Sequence, residues 1–186
     1  MINYPNKKKT YETVKQSVRN VANQGMALEE MINKTNAYYR LHEIALIAKR
    51  PTPVKVIKTN EFKHIVDGFF LEPSSLDYVG IYNGYYLDFE AKETTSKKGF
   101  PFQNISIHQI EAMKEIIKHH GYCFAIIFLK AYNEIYFIDG KDMVFYYENG
   151  SSYLTYETIK EVGTLIKEGY LAPIDYLKVV KEKYNL

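Results

Sequence analysis

The apolar positions in the first third of the chain predict helical structure followed by a strand. Apolar side chains recur at helical spacing within residues 10–40, and no proline interrupts them. Gly25 weakens that pattern, so one helix is expected to begin near it. Residues 41–48 continue the apolar pattern, and the Pro-Thr-Pro segment at 51–53 then forces an extended backbone. Residues 54–57 alternate apolar side chains with lysines, which is typical of a half-exposed strand.

The rest of the chain predicts a strand-rich middle and a mixed end. Asn83-Gly84 is expected to join two strands, because both residues tolerate the positive φ of a two-residue hairpin turn. The other predictions are a strand over 65–71, the hairpin strands 77–82 and 85–91, a helix over 106–120, a buried strand over 122–129, a second hairpin from 134–138 and 143–147, and short helices near 158–167 and 174–184. This order predicts an α/β domain with a mixed central sheet.

The predicted turn fixes which residues of the hairpin face each other. If Asn83-Gly84 are the two loop residues, Asp77 stands opposite Glu90 and Ser75 stands opposite Lys92. Side chains alternate between the two faces of a strand. One face therefore carries Asp77, Asp88, Glu90 and Lys92, and the other carries a set of apolar and aromatic side chains that is expected to be core: Tyr78, Tyr82, Tyr85, Leu87 and Phe89.

Two opposed carboxylates on one face indicate a bound cation. Like charges directly across a hairpin are destabilising, and Mg²⁺ prefers oxygen ligands. Asp77 and Glu90 are therefore expected to hold one or two metal ions, with Ser75 as a further oxygen ligand. Lys92 would orient an attacking water or neutralise charge during phosphodiester hydrolysis. The alternative is a surface hairpin whose acids simply pair with lysines, which is the usual fate of such residues.

Composition and charge restrict the class of protein. A length of 186 residues predicts one domain, and the net charge of +2 does not by itself indicate a nucleic-acid-binding protein. Cys123 is the one cysteine, which fits a reducing compartment. The N-terminus lacks the apolar region of a signal peptide, and no apolar stretch reaches the length of a membrane span, so a cytoplasmic protein without membrane association is expected.

Basic residues cluster in two segments, either as a solvated face or as a surface for a polyanion. Residues 1–20 predict a basic, flexible N-terminal arm, and a second cluster lies within residues 40–64. Two lysines also follow the predicted active strand. The candidates for DNA contact are Lys49, Arg50, Lys55, Lys58, Lys63, Lys97 and Lys98.

The candidate site also carries a family resemblance. Asp77, followed by Asp88-Phe89-Glu90-Ala91-Lys92, resembles the D…(D/E)xK pattern of restriction-enzyme-like nucleases, the PD-(D/E)xK superfamily. That pattern is short, whereas the flanking segments are more distinctive: GMALE at 25–29, TNAYY at 35–39, KRPTP at 49–53, DFEAKET at 88–94 and HQI at 108–110. Their order over about residues 20–130 resembles RecU-type Holliday-junction resolvases.

This resemblance implies a fold and an activity. The fold would be restriction-endonuclease-like: α/β, with a mixed central sheet flanked by helices and a β-stalk inserted at about residues 59–70. The activity would be that of a homodimeric endonuclease that cuts four-way DNA junctions with Mg²⁺ or Mn²⁺ in recombination and repair. A recombinase protein is a further partner that such a role allows.

The resemblance also assigns roles to residues. Ser75, Asp77 and Glu90 match metal ligands, Lys92 matches the catalytic lysine, and Gln109 matches a site glutamine. Glu29 on the first helix would approach the site. Phe70 is either a core residue or an aromatic at the base of the stalk that can stack on an unpaired base. The chain departs from the family where Ser75 and Leu76 replace two threonines, of which only the serine keeps a hydroxyl, and the stalk looks shorter.

Two alternatives to a junction resolvase stay open. One is a restriction-like or general DNA nuclease of the same fold. The other is a non-catalytic DNA-binding accessory protein of recombination, although a lapsed site has no reason to keep opposed carboxylates.

Overall fold

The computed structural model describes residues 27–71 and 76–186. Along these residues the elements are α1 (Leu28–Leu41), β1 (Ala45–Lys49), β2 (Val54–Thr59), β3 (Ile65–Phe70), β4 (Tyr78–Tyr82), β5 (Tyr85–Thr94), β6 (Gly99–Pro101), a 3₁₀ turn (Phe102–Asn104), α2 (Ile107–Lys118), β7 (Tyr122–Leu129), β8 (Glu134–Asp139), α3 (Gly140–Glu148), β9 (Tyr153–Thr155), α4 (Tyr156–Val162), β10 (Thr164–Leu165) and α5 (Tyr176–Tyr184). None of the described helices is long and apolar enough to cross a membrane.

The central sheet is mixed, as the sequence predicts. Its strand order is β1-β4-β5-β7-β8-β10, with β5 parallel to β7 and the other neighbours antiparallel. Asn83 and Gly84 have φ values of 49° and 82°, so the β4–β5 turn has the geometry that an Asn-Gly pair favours. The predicted register is confirmed, because Tyr82 pairs with Tyr85 and Val79 pairs with Asp88.

Helices cover the sheet on both faces. On one face a core forms around Phe89, whose ring stacks between those of Tyr78 and Phe124 at centroid distances of 4.9 and 4.7 Å. On the other face a second core contains Ile110 from α2 and Met143 from α3. The predicted α/β architecture with a helix-flanked mixed sheet is therefore confirmed. Tyr85 is a partial exception on the core face, because it is 44% exposed.

The TNAYY motif of α1 anchors the C-terminal segment. The Thr35 hydroxyl accepts a hydrogen bond from the Ile174 amide at 3.2 Å, and the Tyr39 hydroxyl donates to Asp175 at 2.7 Å. Thr35 and Tyr39 are buried. This motif therefore holds α1 against the segment that immediately precedes α5.

Strands β2 and β3 form an antiparallel hairpin outside the central sheet. All twelve of their residues are exposed, and the side-chain oxygen of Asn60 accepts hydrogen bonds from the amides of Phe62 and His64 at the turn. The predicted stalk, about residues 59–70, covers the turn and β3, whereas the hairpin itself begins at Val54. Its function as a stalk stays a prediction. The interpretation of Phe70 as a core residue is wrong, since it is 74% exposed.

The structure corrects the predictions for the last third of the chain. Residues 143–147 lie in α3 and do not form a strand, because the Asp139 carboxylate accepts from the Lys141 amide and caps a helix there. The predicted helix 158–167 is shorter: α4 ends at Val162, and Thr164–Leu165 pairs with β8. The helix predicted over 174–184 begins at Tyr176. The predictions for residues 1–26 lie outside the described residues.

Candidate active site

The β4–β5 hairpin brings Asp77 next to Glu90. Asp77 immediately precedes β4, and the pairing of Tyr78 with Phe89 puts the next pair at these two acids. The main-chain amide of Ala91 donates to Oδ2 of Asp77 at 3.1 Å, which holds this side chain against β5. The sequence predicted this juxtaposition from the turn alone.

Glu90 is fully buried beside a lysine and a glutamine. Its Oε1 lies 2.8 Å from Lys92 Nζ and accepts a hydrogen bond from Gln109 Nε2 at 2.6 Å. Its Oε2 is buried and has no hydrogen-bond partner among the described residues. Burial, and after it the charge of Asp77, raise the pKa of Glu90 to about 8, and Lys92 offsets only part of that effect. In the absence of another cation, Glu90 therefore binds a proton near neutral pH.

Gln109 is held in place by the start of α2. Ser106 caps this helix: its hydroxyl accepts from the Gln109 amide at 3.3 Å, and the Gln109 side-chain oxygen accepts from the Ser106 amide at 3.0 Å. This reciprocal capping box occupies the oxygen of the glutamine side chain. The NH₂ group is therefore the end that faces Glu90, and Gln109 acts on the carboxylate as a donor.

Glu29 lies near the site but is paired elsewhere. It stands in the first turn of α1, and its Oε2 is 2.5 Å from Lys49 Nζ. Burial, followed by the charges of Glu29 and Asp77, raises the pKa of Tyr78, so both carboxylates act on the same hydroxyl. The Tyr78 hydroxyl also donates to the main-chain carbonyl oxygen of Glu29 at 3.5 Å, so Glu29 lies beside the first residue of β4 and in contact with Lys49.

Arg50 contacts two side chains of β5. Its Nη2 forms an ion pair with Oδ2 of Asp88, which is 1% exposed, and donates to the Tyr86 hydroxyl at 3.0 Å. That hydroxyl in turn donates to Asp88 at 2.7 Å. Burial raises the pKa of Asp88, and Tyr86 and Arg50 oppose that shift. The only indication in the sequence was the position of Asp88 on the same strand face as Glu90.

The other candidate DNA contacts lie in two exposed places. Lys55, Lys58 and Lys63 are on the β2–β3 hairpin, where Lys55 Nζ lies 5.8 Å from the centre of the Phe69 ring. Lys97 and Lys98 are in the loop after β5. The structure does not bring the hairpin lysines into the Asp77–Glu90 cluster.

The cluster fits a hard divalent cation in its chemistry. It offers two carboxylates, one of which has an unpartnered buried oxygen, and oxygen donors of this kind suit Mg²⁺ or Mn²⁺. Within residues 27–71 and 76–186, no three His, Cys, Asp or Glu side chains are grouped as a metal site. Ser75, the third predicted ligand, lies outside the described residues.

The fold and the site together define the class of protein. A mixed sheet flanked by helices, with Asp77 opposite Glu90 and Lys92 beside them, has the arrangement of the PD-(D/E)xK class that the sequence resembles.

Comparison with known proteins identifies the family. The model of the family described as "RecU: Recombination protein U" matches residues 23–182. The chain is 39% identical over 196 aligned positions to Holliday junction resolvase RecU of Bacillus cytotoxicus, covering 98% of each protein. It is 40% identical to the protein of the same name from Bacillus licheniformis, covering 99% of this chain and 98% of that protein. The chain belongs to the RecU family.

A solved structure also resembles this fold. It is that of Hjc, a Holliday junction resolvase from Archaeoglobus fulgidus, with a TM-score of 0.37 and 11% identity over 61% of this chain and 77% of that chain. At this level of similarity the comparison carries no argument about function.

Proposed function

We propose that this protein is a divalent-metal-dependent endonuclease that resolves four-way DNA junctions during recombination and repair in the cytoplasm. The observation that carries the proposal is the buried Glu90, held by Lys92 and Gln109 beside Asp77, with one oxygen left without a partner. The names of the Bacillus relatives support the junction as the substrate.

In this proposal Asp77 and Glu90 hold Mg²⁺ or Mn²⁺, and Ser75 adds an oxygen ligand. The bound ion would neutralise charge on the phosphate and supply an activated water. Gln109 fixes Oε1 of Glu90, so Oε2 is the oxygen that remains for the ion. Lys92 keeps 23% of its side chain exposed beside Glu90, so its ammonium can reach a phosphate oxygen as a compact positive charge.

The β2–β3 hairpin would serve as the stalk in this proposal. Its exposed apolar side chains, including Phe70, have no partner layer within the described residues. Aromatic side chains of this kind stack on unpaired bases, and Lys55, Lys58 and Lys63 on the same hairpin would contact phosphates. Lys97 and Lys98 would contact the strand beside the active site.

We also propose a homodimer as the working form. A four-way junction is resolved by cutting two strands that are related by a two-fold axis, so two identical sites with the same symmetry are needed. A recombinase protein is a further proposed partner.

The decisive experiment compares a synthetic four-way junction with a linear duplex of the same sequence. The wild-type protein should cut the junction in Mg²⁺ or Mn²⁺ and not in EDTA, and Asp77→Asn and Glu90→Gln should lose this activity. Glu115→Gln is the matched control, because Glu115 is an exposed acid of α2. Full activity in either site variant would refute the proposed metal site.

The same experiment decides between the three candidate functions. Equal cutting of junction and duplex would indicate a general DNA nuclease of this fold. Tight junction binding without cutting in any metal would indicate an accessory protein.

Junction binding should weaken steeply as the salt concentration rises, because lysines that bind DNA phosphates displace counterions. A junction affinity that does not depend on salt would contradict the lysine contacts.

A further inference from the structure

Arg50 links both strands of the active-site hairpin. It directly follows β1, and its main-chain amide donates to the carbonyl oxygen of Asp77 at 2.8 Å. Its guanidinium forms the ion pair with Asp88, which lies on β5 two residues before Glu90 and on the same face. One residue therefore connects the backbone of one proposed ligand to the strand that carries the other.

We propose that Arg50 and Asp88 form a positioning pair that sets the placement of Asp77 relative to Glu90, and that Arg50 is not a DNA-phosphate contact. This inference rests on the proposed metal site. Arg50 acts through Asp77 and Asp88 and touches no reacting atom.

The need for such a pair follows from where Asp77 lies. It precedes the first residue of β4, so the Asp77 side chain is not held by strand pairing alone. The described contacts that fix it are the Ala91 amide on its carboxylate and the Arg50 amide on its carbonyl. Ala91 is itself a residue of β5, and the guanidinium of Arg50 binds Asp88 on the same strand. Both contacts of Asp77 therefore connect it to the strand that carries Glu90.

The electrostatics argue against a phosphate-binding arginine. The Arg50 side chain is 27% exposed and its charge is matched by a carboxylate that is 1% exposed. A phosphate would have to compete with Asp88 and with the Tyr86 hydroxyl for the same Nη2. Breaking a buried ion pair from one side is strongly destabilising, because a buried charge is left without its partner.

The test separates metal binding from DNA binding. Arg50→Ala, Asp88→Ala and the double variant are compared by calorimetric titration with Mn²⁺ alone and by junction binding in EDTA at several salt concentrations. Each single variant should weaken Mn²⁺ binding by about 10-fold or more, the usual effect of residues that orient metal ligands. The double variant should bind Mn²⁺ about as weakly as either single variant, because all three remove the same interaction; additive losses would mean that the two residues act independently. Junction affinity in EDTA and its salt slope should match the wild type.

Controls make each outcome decisive. Asp88→Asn keeps the shape of the side chain and should show the same Mn²⁺ defect if Asp88→Ala does not fold. Lys118→Ala, an exposed lysine of α2 paired with Glu115 at 3.5 Å, should change neither readout. Lys58→Ala should lower the salt slope by about one, as expected for a lost phosphate contact.

Three further results with the variants, and one with the wild type, would overturn the pair. A salt slope lowered by about one in Arg50→Ala would make Arg50 a phosphate contact. A Mn²⁺ defect in Asp88→Ala without one in Arg50→Ala would make Asp88 a ligand. Unchanged Mn²⁺ affinity in folded variants of lower thermal stability would make the pair purely structural. A wild-type protein that binds Mn²⁺ but cuts no junction would refute the proposed function and leave the pair intact, whereas no Mn²⁺ binding would overturn both.

Discussion

Replacing Glu90 with glutamine should stabilise the metal-free protein, increasingly so as the pH rises. Glutamine keeps the shape of the side chain and an oxygen that can accept from Lys92 and Gln109. It removes a carboxylate that is fully buried beside Asp77. The proposed metal ligand Glu90 is thus expected to lower the free energy of unfolding of the metal-free protein.

The magnitude follows from the pKa of Glu90, which burial and then Asp77 raise from 4.5 to about 8. Between these values the folded protein keeps a proton that the unfolded chain has lost, so its free energy of unfolding falls as the pH rises. Each pH unit in this window contributes at most about 1.4 kcal/mol. From pH 4.5 to pH 7 the stability of Glu90→Gln relative to the wild type should therefore increase by about 3 kcal/mol.

Urea unfolding in EDTA at a series of pH values measures this difference. The chain has no tryptophan, so far-ultraviolet circular dichroism is the signal of choice. Glu115→Gln is the control, because it removes a charge from an exposed position, and its stability should follow the wild type across the whole range.

A stability difference between Glu90→Gln and the wild type that stays constant from pH 4.5 to 8 would refute the reasoning. It would mean that Lys92 keeps Glu90 ionised at all these pH values. Addition of Mn²⁺ at pH 7 provides a second check: it should stabilise the wild type and leave Glu90→Gln unchanged, because the ion replaces the proton on Glu90.

Three further substitutions test other parts of the site. Lys92→Met should lower the single-turnover rate of junction cleavage about 100-fold or more while Mn²⁺ binding measured by calorimetry persists, because Lys92 supplies a charge and not a ligand; an equal loss of both would contradict this. Gln109→Glu should raise the pKa of Glu90 further and weaken Mn²⁺ binding more than Gln109→Ala does, since it sets a carboxylate against Oε1; the opposite order would contradict a donor role. Gly84→Ala should lower the free energy of unfolding by about 1 kcal/mol in urea, because Gly84 has a φ of 82° and no atom lies within 4 Å of an added Cβ; an unchanged midpoint would show that the turn adapts.

The hairpin could be predicted in detail because its determinants are local. Asn83 and Gly84 select the turn, and a two-residue loop leaves one register for the paired strands. The positions of Asp77 and Glu90 follow from that register without knowledge of any other element. Gln109 is a partial case: the Ser106 capping box predicts where α2 starts, but only the parallel pairing of β5 with β7 brings that start to Glu90.

Where tertiary contacts decide, the sequence was insufficient. Val144, Phe145 and Tyr147 favour a strand by propensity, yet they lie in α3. The preceding Gly140 is in such close contact with Cys123 that an added Cβ would lie 2.3 Å from its sulfur. The helix start is therefore held against β7, and packing overrides the local preference.

The basic cluster at residues 40–64 shows the same limit for electrostatics. The sequence gives the number and order of the charged residues, but it does not show which of them form ion pairs in the folded protein. Lys49 is paired with Glu29, and Arg50 is paired with Asp88. Among the described residues, no carboxylate forms an ion pair with the three hairpin lysines, Lys55, Lys58 and Lys63.

That cluster therefore divides into two groups with different expected effects. Arg50, whose charge is matched by the buried Asp88, is proposed to set the geometry around Asp77 and Glu90, so its loss should change metal affinity. Charges that are unmatched attract counterions that a phosphate can displace, so their loss should change the salt dependence of DNA binding. Arg50→Ala should therefore change Mn²⁺ affinity but not the salt dependence of DNA binding, and Lys58→Ala should do the opposite. Measuring both quantities for both variants distinguishes the two groups.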